Sequence, residues 1–212
     1  MNTELASLDD LGLMYGTDKA SRGHGYLATY ERFLSPLRFR PLQILEIGVK
    51  EGASVRMWRD YFVNARVIGF DIVPAVQRFA EPRIAIEIGD QSSSDDLAAL
   101  CSKHGPFDLI VEDGSHYWGH QIFSLEKLFP ELKPGGIYIM EDIQTSFSPL
   151  AERYSRGSDV SAVEYLKRVA DIVAAASARP ADVPPDMLAV AREVGFLLFT
   201  KHAAIIEKRR RG

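Results

Sequence analysis

One cysteine, Cys101, is the only thiol in 212 residues, so no disulfide can close within the chain and thiolate-held zinc or iron–sulfur centres lack their ligands. No apolar run approaches the roughly 18 to 20 residues that cross a bilayer, and Met1–Asp10 is polar and acidic, unlike a secretory signal. An excess of positive charge is missing too. Lys plus Arg total 25 against 29 Asp plus Glu, a formal net charge of -4, where a nucleic-acid-coating surface is normally basic. Internal repeats, low-complexity stretches and an interdomain linker are also absent. What remains is ordinary: 46% hydrophobic and 25% charged residues, the composition of a globular domain. The expectation is a single domain over 1–212, cytoplasmic, with neither nucleic acid nor membrane as partner.

Short apolar runs alternate with helix-like stretches. Leu42–Val49, Val67–Ile72, Ile84–Ile88, Leu109–Val111 and Ile137–Met140 read as strands. Each is nearly continuous in apolar residues, as in strands buried on both faces. Between them Ala53–Phe62, Ser94–His104 and Tyr117–Phe129 read as helices. That order predicts an α/β fold, Rossmann-like, with a mostly parallel sheet and helices on both faces. Phe196–Thr200 and Ala203–Glu207 predict an antiparallel hairpin at the C-terminal edge, Val160–Ala178 a long helix, and Arg179–Asp186 a proline-stiffened loop. Within the domain, 1–40 is a helical segment that either closes over the site or packs as a leader. Residues 41–142 form the core, 143–193 a lid and helix, and 194–212 the hairpin and a basic tail.

Carboxylates punctuate the strand ends: Glu46, Asp71, Asp90, Asp113, Glu141 and Asp142. Ligands of open α/β sheets bind at the carboxyl ends of the strands, so these residues are expected on one rim. Glu46-Ile47-Gly48-Val49-Lys50-Glu51-Gly52 supplies a glycine turn, yet its spacing is neither the dinucleotide G-x-G-x-x-G nor a P-loop. Asp71 is placed to accept ribose hydroxyls, and Asp90-Gln91 offers an acceptor and an amide for an adenine edge.

In sequence, ILEIGVKEG, VIGFDI, IGDQ and FDLIVEDGSH resemble the successive motifs of class I S-adenosylmethionine-dependent methyltransferases. The resemblance implies that Glu46, Gly48 and Gly52 flank the methionine part of S-adenosyl-L-methionine, Asp71 the ribose, and Asp90 and Gln91 the adenosine.

Asp113 follows the fourth strand, and Glu141-Asp142 the fifth. Three converging carboxylates repel unless a cation lies between them, and hard oxygen ligands without cysteine suit Mg²⁺ or Mn²⁺. His116 faces the same cleft. Methylating a hydroxyl requires its proton to leave; a metal acidifies the hydroxyl and a histidine can accept the proton. His120 is the competing base, read instead as a residue that packs or supports the site from behind.

A longer set of motifs sharpens the likeness: Tyr15–Lys19, Met57-Trp58, Gly89–Ser92, Asp113–His116, His120-Gln121, Leu128-Phe129-Pro130, Pro134-Gly135-Gly136 and Glu141-Asp142. Together they resemble the metal-dependent sugar O-methyltransferases of the macrocin and mycinamicin type. That resemblance implies Asp113, Glu141 and Asp142 as magnesium ligands and His116 as catalytic base. The implied acceptor is a sugar hydroxyl on an oligosaccharide, polysaccharide or glycosylated natural product, and a homo-oligomer is expected. The macrolide enzymes' extra N-terminal domain has no counterpart in these residues, Glu112 replaces a common aspartate, and Thr145-Ser146-Phe147 a common TSY. Three rivals stay open: a methyltransferase for catechol-like phenols, a nicotinamide-dependent oxidoreductase, and a non-catalytic nucleotide-binding module.

Overall fold

The computed structural model describes residues 5–175 and 182–210. Its sheet has seven strands: β1 (Gln43–Ile47), β2 (Arg66–Asp71), β3 (Ile84–Ile88), β4 (Phe107–Glu112), β5 (Leu132–Met140), β6 (Val194–Phe199) and β7 (Ala204–Lys208). Their order is β3-β2-β1-β4-β5-β7-β6. The first five are parallel, and β7 runs antiparallel to both β5 and β6. The expected edge hairpin is therefore present. The order reverses between β1 and β4, the switch point at which open sheets bind ligands.

The strand residues alternate between two cores. Leu45, Ile68, Ile110 and Tyr138 belong to one, and Ile44, Val67, Leu109 and Ile137 to the other, as a pleat of period two requires. The first face is covered by α4 (Ser94–His104), α5 (Trp118–Leu128), α7 (Ala162–Ala175) and α8 (Pro185–Glu193). The second is covered by α1 (Leu8–Tyr15), α2 (Leu27–Leu34) and α3 (Ala53–Tyr61). Trp58 is fully buried there.

Residues 7–34 pack against the sheet as a leader. Ser7 Oγ accepts from the Asp10 amide while the Asp10 carboxylate accepts from the Ser7 amide, a reciprocal cap that starts α1. Leu8, Leu11, Leu27, Tyr30 and Leu34 are buried beneath the sheet. Along the 143–156 stretch lies a short α6 (Ala151–Ser155). The helix expected over Val160–Ala178 is α7; its last turn, part of the proline-rich loop and Arg211 lie outside the described residues. No helix among the described residues is long and apolar enough to cross a membrane.

Candidate active site

The glycine loop leaves β1 at the switch point. Gly48 has φ +91°, and a Cβ there would lie 2.0 Å from the carbonyl oxygen of Asp113. Only glycine lets the β1 and β4 loops approach this closely. Gly52, at φ +72°, caps α3 and packs on Phe79. Asp71 braces the loop: its carboxylate accepts from the amides of Val49 at 2.8 Å, Lys50 at 3.2 Å and Val73 at 2.9 Å.

Over the ends of β1, β2 and β3 opens a cavity of about 410 Å³, lined by Gly48, Asp71, Asp90, Gln91, Gly114, Ser115, Tyr117, His120 and Arg156 among others. Asp71, Asp90, Gln91 and Gly48 thus meet as expected. Bonds from the Ser92 amide and hydroxyl hold the Asp90 carboxyl below its ordinary value. Gln91 is committed to the protein. Its Nε2 donates to Glu112 Oε1 at 2.9 Å and Ser124 Oγ at 3.1 Å, and its Oε1 accepts from the Ser115 amide at 2.7 Å. Both amide hydrogens are used, so the edge expected to read adenine is not free. Burial pushes the Glu112 carboxyl up. Two wall residues carried no cofactor signal in the sequence: Tyr117 and Arg156, whose guanidinium carbon sits 3.9 Å from the Tyr117 ring centre.

Beside this cavity the acidic residues divide into two groups. In the first, Lys19 is 1% exposed. Its ammonium binds Asp113 and Glu141 and lies 3.6 Å from Glu46. Tyr30 donates to the other Glu141 oxygen at 3.1 Å. Burial works against the charged ammonium, but the three carboxylates outweigh it and hold the Lys19 pKa well above ordinary. Glu46 lies under the floor, lining neither the large cavity nor the 110 Å³ hollow formed by Lys19, Gly48, Ser54 and Asp113 among others. Burial raises its carboxyl to about 7 despite the pull of Lys19.

The second group is Asp113, His116 and Asp142, whose ligand atoms all lie within 4.8 Å of one another. His116 Nε2 is 3.3 Å from Asp142 Oδ2. Tyr26 and Gln144 each donate to Asp142 Oδ1, at 2.7 and 2.9 Å. Tyr26, Gln144 and His116 favour the Asp142 carboxylate and hold its pKa low against the effect of burial. His116 and Asp142 both adopt left-handed backbone, at φ +58° and +54°, the kind of strain that gathers at functional sites. Of the three expected ligands, Asp113 and Asp142 stand in this open cluster; Glu141, 1% exposed, faces Lys19 and Tyr30 instead. His120 faces the cavity, with Nδ1 2.9 Å from Ser115 Oγ. Tyr26 and Tyr30 were missed, although a tyrosine pair four apart at the start of a helix is a visible signal.

Comparison with known proteins gives a consistent answer. A family described as a methyltransferase domain matches residues 45–143. The 8-demethyl-8-alpha-L-rhamnosyl tetracenomycin-C 2'-O-methyltransferase of Streptomyces olivaceus is 37% identical over 97% of this chain and 56% of its own length. The mycinamicin VI 2''-O-methyltransferase of Micromonospora griseorubida is 34% identical over 67% of this chain and 37% of its own. Among solved structures, the MycE methyltransferase of the mycinamycin biosynthetic pathway, in complex with Mg and SAH, superposes with a TM-score of 0.86 and 29% identity. That match covers 98% of this chain and 56% of MycE. The chain spans about half the length of the first of these relatives and of MycE. The motif order, the sheet with its antiparallel edge and these matches agree, and the chain belongs to the class I methyltransferase family that includes these natural-product O-methyltransferases.

Proposed function

We propose that this chain is the methyl-transferring domain of an S-adenosylmethionine- and Mg²⁺-dependent O-methyltransferase acting on a sugar hydroxyl of a glycosylated natural product. The observation that carries the reading is adjacency. A cavity lined by Asp71 and Asp90 opens directly beside a tight carboxylate–imidazole cluster. The relatives named above act on a rhamnosyl tetracenomycin and on mycinamicin VI, and a glycosylated natural product is carried over here as the acceptor class of the proposal.

The residues fit both groups. The carboxylates of Asp113 and Asp142 form a hard oxygen donor pair suited to Mg²⁺ or Mn²⁺, with the His116 imidazole within 4.8 Å of both. Asp113 and Asp142 would hold the cation, with Glu141 a third ligand where Lys19 yields it. When bound, the cation would lower the pKa of a hydroxyl and fix its orientation. Asp71 would accept the ribose hydroxyls, Asp90 would face the adenosine, and Gly48 would let the methionine end approach the backbone. Gln91 would support the adenosine by bracing Ser115 and Glu112.

His116 serves as general base. Its Nε2 already faces the Asp142 carboxylate, which stabilises the imidazolium that forms when the ring accepts the hydroxyl proton. The chain otherwise supplies orientation for an in-line displacement. Small or oligosaccharide substrates, a cytoplasmic setting and a homo-oligomer belong to the same proposal.

Calorimetric titration with S-adenosylhomocysteine, with and without Mg²⁺ and with NAD as control, tests the reading. Binding of S-adenosylhomocysteine and not NAD is the expected result; a folded sample that binds neither sinks it.

A further inference from the structure

A second cavity of about 420 Å³ opens on the other side of the acidic cluster. Its walls include Ile143, Gln144, Phe147, Val163, Phe199 and His202. The register of the sheet explains its position. Met140 at the end of β5 pairs with Ala204 at the start of β7, so the turn between β6 and β7 lies at the same rim as Asp142. The Ile143 amide donates to the His202 carbonyl at 3.0 Å and fastens that turn to the acidic loop. Along the rim the order is then the first cavity over β1–β3, the Asp113–His116–Asp142 cluster at β4 and β5, and this second cavity at β5, β7 and β6.

Three features say what the second cavity takes. Its outer walls are apolar and open: Phe147 is 55% and Phe199 39% exposed. Gln144 and His202 add polar side chains to an otherwise largely apolar lining. And Gln144 Nε2 donates to Asp142 Oδ1, so one side chain joins this cavity to the acidic cluster. The volume falls within the roughly 300–1,000 Å³ of small-molecule sites.

We propose that this cavity binds the apolar aglycone of a glycosylated acceptor, an aromatic body bearing few polar groups. The inference rests on the sugar O-methyltransferase reading and extends it. The sugar lies at Asp142 and His116, the methyl donor on one side and the aglycone on the other. Phe147 and Phe199 flank the aglycone, and Gln144 stands between it and the sugar at Asp142. Acceptor choice is thereby assigned to the segment after β5 and the β6–β7 turn, away from the cofactor.

Binding of two probes tests it: 2-naphthyl α-L-rhamnopyranoside and methyl α-L-rhamnopyranoside, titrated into the protein with S-adenosylhomocysteine and Mg²⁺ present. The naphthyl glycoside should bind at least tenfold more tightly. A Phe147→Ala/Phe199→Ala double variant should bring the two affinities together. Both phenylalanines are exposed, so folding should survive, and a melting curve checks it. Thr200 also lines the cavity, and Thr200→Trp, which fills it from the turn, should reduce naphthyl glycoside binding without removing either wall. Equal affinities in the parent protein, no naphthyl glycoside binding, or a preference that survives both variants overturns the assignment. Titration of S-adenosylhomocysteine on the same sample separates the two levels: its failure to bind removes the methyltransferase reading, whereas its binding without an aglycone preference removes only this one.

Discussion

The Lys19 ammonium lies 2.7 Å from Glu141 Oε2, joining residues 122 positions apart. The bond ties the N-terminal leader to the end of β5, and the same ammonium binds Asp113 at the end of β4. One positive charge therefore holds together three segments that carry the candidate chemistry. It also offsets repulsion among Glu46, Asp113 and Glu141, which burial would otherwise make severe.

Replacing Lys19 by Met should leave buried carboxylates without their counter-charge. Loss of one partner from a buried ion pair costs about 3–5 kcal/mol, so the urea midpoint should fall steeply. A midpoint within experimental error of the parent would show that the ammonium does not occupy this cage.

The Glu46 carboxyl, raised to about 7 by burial, makes stability depend on pH. Its folded pKa exceeds the unfolded value near 4.5, so its protonation favours the folded state. That contribution is complete below the unfolded pKa and is lost as pH rises through about 7. Between pH 5 and pH 8 the parent should lose up to about 3 kcal/mol relative to Glu46→Gln. Denaturant unfolding of both proteins across that range checks it, and parallel pH profiles would contradict it.

Gly48→Ala places a Cβ 2.0 Å from the Asp113 carbonyl oxygen at a backbone φ of +91°. The left-handed conformation alone costs a non-glycine residue about 1–3 kcal/mol, and the clash must also push the two loops apart. Lower thermal stability and at least tenfold weaker binding of S-adenosylhomocysteine are expected. An alanine variant with parent-like melting and affinity would mean the loops do not meet there.

His116→Ala should lower methyl transfer by about 10²–10⁴-fold, the usual contribution of a general base, while S-adenosylhomocysteine affinity stays unchanged. His120→Ala should affect turnover far less. The reverse ranking in a single-turnover assay would move the base to His120.

Much of the scaffold was legible because each strand carries its own record. Ile84–Ile88 and Ser94–His104 occur with the boundaries read from the sequence; continuous apolar runs and a serine cap are local signals. The carboxylates at the strand ends were legible as well, since a parallel sheet places every such residue on one rim. The N-terminal segment was less so. Leu8, Leu27 and Tyr30 look like any amphipathic stretch, and their burial depends on the sheet face offered by distant strands.

The sequence by itself determined the alternation of strands and helices, the glycine turn after β1, and the convergence of Asp71, Asp90, Asp113 and Asp142. All of these follow from local periodicity and from the direction of parallel strands. Only the tertiary structure decided how the acidic residues are partnered. Glu141 and Asp142 are chain neighbours, yet Glu141 is buried against Lys19 and Tyr30 while Asp142 faces His116 and Tyr26. Adjacent residues point different ways once a strand ends, and which partner each meets depends on side chains that arrive from the far end of the chain.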